Sequence, residues 1–167
     1  MRKGTMTMLR FFLVILASAF LIACEPEATV EVGKAAPDLT VMDLDGRPVK
    51  LSEMRGKVVF VNFWWSGCGP CLAEMPEIDQ VYRRYRDEGL EVLAVNIGQD
   101  VDTIRNTNRR LGLAYPLVSD ELKISTKHYG VAFAPTSFLI DREGVVRERI
   151  NGPVTEETLT QKVAGFL

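Results

Sequence analysis

Lys57-Val58-Val59-Phe60-Val61-Asn62-Phe63-Trp64-Trp65-Ser66-Gly67-Cys68-Gly69-Pro70-Cys71 is the stretch on which the fold turns. Its first part, Lys57–Phe63, is almost wholly apolar, as a parallel strand covered on both faces is. Its last four residues place two thiols two residues apart at the mouth of a helix, which the pattern starts near Leu72. Such a pair can close into a small disulfide and reopen. The first thiol sits where helix-end N–H groups and the helix dipole favour negative charge, which lowers its pKa and makes it a nucleophile near neutral pH. Gly69 and Pro70 permit the bend, and Pro70 lacks an N–H that a first-turn position leaves unpaired anyway. A C-x-x-C between a strand and a helix implies thiol redox chemistry. Ligand supply weighs against zinc: a closed structural site takes about four ligands. Outside this pair the chain has one cysteine, Cys24, and one histidine, His128. A purely structural disulfide is a poor alternative, because so short a loop removes little chain entropy.

Downstream of the cysteines, Leu72, Met75, Ile78, Tyr82 and Tyr85 share one helix face, with Glu77, Arg83, Arg84 and Asp87 elsewhere. Pro76 is expected to kink this helix and Gly89 to end it. Leu90–Ile97 reads as a second buried strand. Asp100 is placed to cap the next helix, whose last turn carries Arg109 and Arg110 and which Gly112 ends. A short helix is expected around Asp120–Lys127. Upstream, Leu39–Met42 and Val49–Leu51 flank a turn-rich stretch and read as a hairpin, with Ser52 as the cap of a short helical turn ending at Gly56. Thr136–Ile140 and Val145–Arg149 flank Asp141–Gly144 and read as a second hairpin. Thr155 is placed to cap a final helix, with Val154 and Leu159 as a hydrophobic staple and Leu159, Val163, Phe166 and Leu167 as its buried stripe. This order predicts an α/β fold, a mixed sheet flanked by helices on both faces.

The N-terminus speaks of place. Arg2, Lys3 and Arg10 precede a short apolar run, Phe11–Phe20, that ends in Leu21-Ile22-Ala23-Cys24. Residues 1–23 therefore read as a signal peptide of the bacterial lipoprotein kind, in which Cys24 becomes the lipidated first residue. The apolar run is too short for a confident membrane span, though an uncleaved N-terminal anchor is the alternative. Residues 24–35 read as a polar tether and 36–167 as one domain. Removing residues 1–23 takes away three positive charges and no acid, so the net charge of the 167-residue chain moves from -2 to -5 on 144 residues. A mildly acidic chain has no electrostatic footprint for nucleic acid. With Cys24 lipidated, Cys68 and Cys71 are the only thiols left in an oxidising compartment.

Taken together, Asn62-Phe63-Trp64, Cys68-Gly69-Pro70-Cys71 and Ala134-Pro135-Thr136 followed by Phe138-Leu139-Ile140-Asp141 resemble a thioredoxin-fold protein. Ala36-Pro37-Asp38-Leu39, Asp45-Gly46, Leu51-Ser52-Glu53 and Arg55-Gly56-Lys57, with Glu74-Met75-Pro76 after the second cysteine, are similar to the extracytoplasmic TlpA/ResA group. The resemblance implies a thioredoxin-like domain with an N-terminal β-hairpin extension. It implies that Cys68 attacks, that Cys71 resolves, and that Pro135 is a cis-proline packed against the thiol pair. Trp64, Ala134, Pro135 and Thr136 are the expected substrate contacts. An ordinary strand-starting proline is the plainer reading of Pro135. Glu74 lies three residues past Cys71 on an inward-pointing face, where burial would raise its pKa and fit it to take the proton of Cys71. A solvated helix glutamate is the plainer reading there. One position departs from the group: Gly67 stands where a Trp usually precedes the first cysteine. Loss of that ring is expected to open the surface around Cys68.

The leading functional reading is a membrane-anchored, extracytoplasmic thiol:disulfide oxidoreductase that reduces disulfides in partner proteins. The resemblance places apocytochromes c among those partners and a membrane thiol donor upstream. No cofactor or metal is called for, since two sulfurs carry the electrons. The Gly-Pro pair is that of reducing thioredoxins, at roughly -270 mV, against about -120 mV for an oxidant such as DsbA. A disulfide oxidase or isomerase is the alternative that a measured potential separates. A peroxidase of the peroxiredoxin kind shares the hairpin, but the usual Pro-x-x-x-Thr/Ser-x-x-Cys pattern is absent before Cys68. A Cu(I)-delivery module would suit soft thiolates, with His128 as the third ligand. A surface histidine at a helix end is the plainer reading of His128.

Overall fold

The computed structural model describes residues 30–167, so the signal segment, Cys24 and the first part of the tether lie outside the described residues. Seven strands form one mixed sheet: β1 (Thr40–Met42), β2 (Pro48–Lys50), β3 (Val58–Trp64), β4 (Leu90–Ile97), β5 (Leu117–Asp120), β6 (Thr136–Ile140) and β7 (Val146–Asn151). Their order across the sheet is β2-β1-β5-β4-β3-β6-β7. β3, β4 and β5 run parallel, and β6 pairs antiparallel with β3. Four α-helices accompany them: α1 (Gly69–Tyr85), α2 (Val101–Leu111), α3 (Ile124–His128) and α4 (Glu156–Ala164). This is the thioredoxin-like fold with an N-terminal hairpin added to the β5 edge.

β3 shows why a near-continuous apolar run is needed at the centre. Every one of its residues is buried. Val58, Phe60 and Trp64 join Met75, Ile78 and Val81 of α1 and Leu159 and Val163 of α4 in one core layer. Val59, Val61 and Phe63 join Leu93, Val95, Phe138 and Tyr129 in the other. In that second layer the rings of Phe63, Tyr129 and Phe138 pack 5.2–6.1 Å apart. Each such buried side chain contributes roughly 1.5–3 kcal/mol by removal from water.

The helix signals hold. Gly89 takes a left-handed φ of 101° after α1 and the short 3₁₀ turn that follows it. Asp100 caps α2 through Thr103 N at 2.8 Å, and Thr155 with Thr158 forms a reciprocal cap on α4. Other expectations are corrected. α1 begins at Gly69, three residues before Leu72, because Cys68 itself caps it. Pro76 lies inside it and is exposed. Ser52 caps nothing; its N and Oγ bond the Asp38 carboxylate at 2.9 and 2.8 Å. Asp120 closes strand β5 instead of opening a helix, and α3 starts at Ile124. Residues 33–36 lie along β7, where Gly33 N and Val146 N make backbone bonds, so the domain edge reaches into the segment read as tether.

Candidate active site

Where β3 ends at Trp64, the chain makes a short loop and enters α1 at Cys68, whose backbone is extended (φ -87°, ψ 100°) as an N-cap requires. Its sulfur does the work of a capping oxygen and accepts from Cys71 N at 3.2 Å. Cys68 and Cys71 are joined in a disulfide with Cα atoms 5.3 Å apart. The two sulfurs are not equivalent. Cys68 retains 6% exposure and Cys71 none, so an incoming thiol or disulfide reaches Cys68 alone. Once reduced, Cys68 at the helix N-terminus has a free N–H and the positive dipole end to stabilise its thiolate. Cys68 Sγ also lies 3.6 Å from Ala134 O. The Ala134–Pro135 peptide is cis. Two bonds hold this loop against the sulfur: Thr136 Oγ1 donates to Phe133 O at 2.8 Å, and Gly152 N to Pro135 O at 3.0 Å.

Behind the disulfide, one helical turn past Cys71, Glu74 is buried at 2% exposure. Asn62 Nδ2 donates to its Oε1 at 2.8 Å and Val154 N to its Oε2 at 2.8 Å. No cation faces it. Burial therefore dominates and raises its pKa from 4.5 to about 7, with the bonds from Val154 and Asn62 opposing only part of the rise. Asn62 Nδ2 also donates to Ser137 Oγ at 2.9 Å, which ties the carboxyl to β3 and β6. A buried carboxyl that titrates near neutrality can take or give a proton beside a thiol.

The AhpC/TSA family profile matches residues 32–149. The thiol-disulfide oxidoreductase ResA of Geobacillus thermodenitrificans is 42% identical over 135 residues, 81% of this chain and 78% of the relative. ResA of Bacillus subtilis is 34% identical over 131 residues, 78% of this chain and 73% of the relative. The chain belongs to the ResA family of thiol–disulfide oxidoreductases. A Chlorobium tepidum protein assigned as a thiol:disulfide interchange protein DsbE superposes with a TM-score of 0.76 at 33% identity, covering 81% of this chain and 97% of that one.

In this ResA-family chain Cys68, Cys71, Glu74, Ala134 and Pro135 are brought together, and Glu74 is not solvated. Two expected substrate contacts are corrected. Trp64 is fully buried because it is the last side chain of β3 on the α1 face, and Trp65, 44% exposed, is the ring at the surface. Thr136 is fully buried too, and its hydroxyl positions the loop. Nor does Gly67 open the surface around Cys68: the Trp65 ring lies against it, 2.0 Å from where a Cβ would stand. His128 ends α3 half-buried beside Tyr129. Among the described residues no three His, Cys, Asp or Glu side chains converge, so His128 is not gathered with the cysteines.

Sequence reading missed the bracket beneath the loop. Gln99 accepts from Ser66 N at 2.8 Å and Asn96 Nδ2 at 2.9 Å, and donates to Ser66 Oγ at 2.7 Å. No sequence signal links residues 66 and 99. Asn62 and Ser137 carried a faint one, as polar residues inside strands otherwise apolar.

Proposed function

We propose that this oxidoreductase works as a reductant and that Glu74 is the proton acceptor for Cys71. The Cys68 thiolate attacks one sulfur of a partner disulfide; that bond breaks and the partner's other sulfur leaves as a thiolate. Cys71 then passes its proton to Glu74 and attacks Cys68 Sγ. The mixed disulfide breaks, the partner's second thiolate leaves, and Cys68–Cys71 forms, so two electrons have moved to the partner. A thiol donor restores the dithiol by the reverse exchange. The observation that carries this reading is a buried carboxyl with no counter-ion among the described residues, one helical turn from the buried sulfur that must lose a proton.

The same reading places the protein outside the cytoplasm, held to a membrane by lipid on Cys24. Its partners are disulfide-containing extracytoplasmic proteins, apocytochromes c among them, and its donor is a membrane thiol reductant. The charge pattern of residues 1–24 and the Gly69-Pro70 pair support it. Among the described residues no helix is long and apolar enough to cross a membrane. For the anchor, Cys24→Ala should release the protein from membranes; unchanged mass and fractionation refute lipidation. For the mechanism, stopped-flow reduction of a protein disulfide should show that Glu74→Gln forms the mixed disulfide at the wild-type rate and resolves it at least about tenfold more slowly, within the range of general-base contributions. Superimposable traces at every pH remove Glu74 from the mechanism.

A further inference from the structure

Between Trp65 and Cys68 stand only Ser66 and Gly67. A Cβ placed on Gly67 would lie 2.0 Å from Trp65 Cζ3 and within 2.8 Å of two further carbons of the same ring. The benzo edge of the indole therefore rests on the Gly67 backbone, in the space any side chain would occupy. Gly67 does not have a left-handed backbone, so what glycine supplies here is room, not conformation. The loop that carries the ring is held from below: Ser66 is bonded through both its N–H and its hydroxyl to Gln99, and Gln99 N donates to Asn96 Oδ1 at the end of β4 at 3.1 Å. Cys68 N donates to Trp65 O at 3.1 Å, so the residue that presents the ring also positions the reactive cysteine.

On the other side of the sulfur, Ala134 O lies 3.6 Å from Cys68 Sγ, and the neighbouring Phe133 is 53% exposed. Two large exposed apolar side chains thus belong to the two segments that touch Cys68. An aromatic ring already laid on backbone loses little freedom when a partner covers it, and it offers a broad apolar face.

We propose that Trp65, seated on Gly67, is a specificity-determining residue of this site: it receives an apolar side chain next to the attacked cysteine of the partner, so disulfides in apolar sequence are preferred over those in polar sequence. The proposal rests on the reductive reading above and leaves the exchange step unchanged. The probes are two peptide disulfides that differ only in carrying Leu or Ser on either side of each cysteine. They are reduced in single turnovers by the pre-reduced protein.

The wild type should half-saturate with the Leu peptide at about tenfold lower concentration than with the Ser peptide, the size of effect one well-placed interface aromatic has. Trp65→Ala should erase that preference by raising the half-saturation for the Leu peptide about tenfold, with the maximal rate changing by less than about twofold. Trp65→Phe should keep most of the preference. Gly67→Ala, which pushes the ring off its seat, should lose the preference as Trp65→Ala does and add nothing to it in the double variant. The proposal is overturned if Trp65→Ala retains the preference, or if the two substitutions add in full. It is also overturned if the wild type reduces both peptides with equal half-saturation, in which case the reductive reading stands. A wild type that reduces neither peptide overturns both.

Discussion

Glu74 and Asp141 are equally hidden, at 2% and 4% exposure, yet they titrate in opposite directions. Glu74 sits near the disulfide, where its partners are an amide side chain and a backbone N–H, and burial pushes its carboxyl up to about 7. Asp141 follows β6 at the far end of the sheet. Burial pushes it up as well, but Val145 N–H at 2.8 Å and the guanidinium of Arg147 outweigh that and hold it below the usual carboxylate range. Two things differ: Glu74 lies deeper in the domain, and only Asp141 has a counter-ion. The other two buried carboxylates of the described residues tie backbone: Asp79 receives Ala114 N, 35 residues away, and Arg83, and Asp120 receives Ser125 N and Thr126 N in the following turn. Of these four, Glu74 alone holds a segment 80 residues away with no cation paired to it among the described residues. Asp141 is held charged by its bonds and its counter-ion; the carboxyl beside the disulfide is left able to bind a proton at working pH.

The largest expected effect comes from removing that proton site. A folded pKa of about 7 against an ordinary value of 4.5 means that the folded state binds the Glu74 proton more tightly than the unfolded one. Stability is thus undiminished below the unfolded pKa and falls as pH rises from about 4.5 to about 7, by roughly 3 kcal/mol in total. Denaturant melts of Glu74→Gln at pH 4.5 and 8 should show that slope gone. A wild type and variant with parallel pH curves would place Glu74 among the ordinary carboxylates and erase the contrast with Asp141.

The contrast sharpens from the other side with Arg147→Met. Asp141 contributes stability that is present above the unfolded carboxylate pKa and lost as pH falls through its lowered folded value. Without the guanidinium, which is 42% exposed and so partly screened, stability at pH 7 should drop by about 1–2 kcal/mol. The loss should shrink in acid as the now unpaired carboxyl protonates. A loss that is the same at pH 3 and pH 7 would mean that Arg147 acts by packing, not charge.

Much of the scaffold was legible because its signals are local. Leu90–Ile97 is a strand between the very residues its apolar run marks, and Asp100, Gly112 and Thr155 cap or end helices by chemistry within four residues. What was not legible is decided at long range. β5 is four residues long and half polar, and pairing with both β4 and β1 makes Leu117–Asp120 a strand. Trp64 and Trp65 are adjacent and alike in sequence; only the end of β3 decides which is buried. At the site the cysteines, Pro135 and Glu74 could be read from spacing and resemblance. The Asn62–Ser137 and Ser66–Gln99 bonds join residues 75 and 33 positions apart, and no local pattern announces them.

The most direct test is a titration of Glu74 itself. In oxidised protein with carbon-13 in the glutamate carboxyls, the Glu74 resonance, assigned by its absence in Glu74→Gln, should follow a single transition centred near pH 7. A midpoint near 4.5 would contradict the account, because a carboxylate of ordinary basicity is too weak a base to take the proton of Cys71.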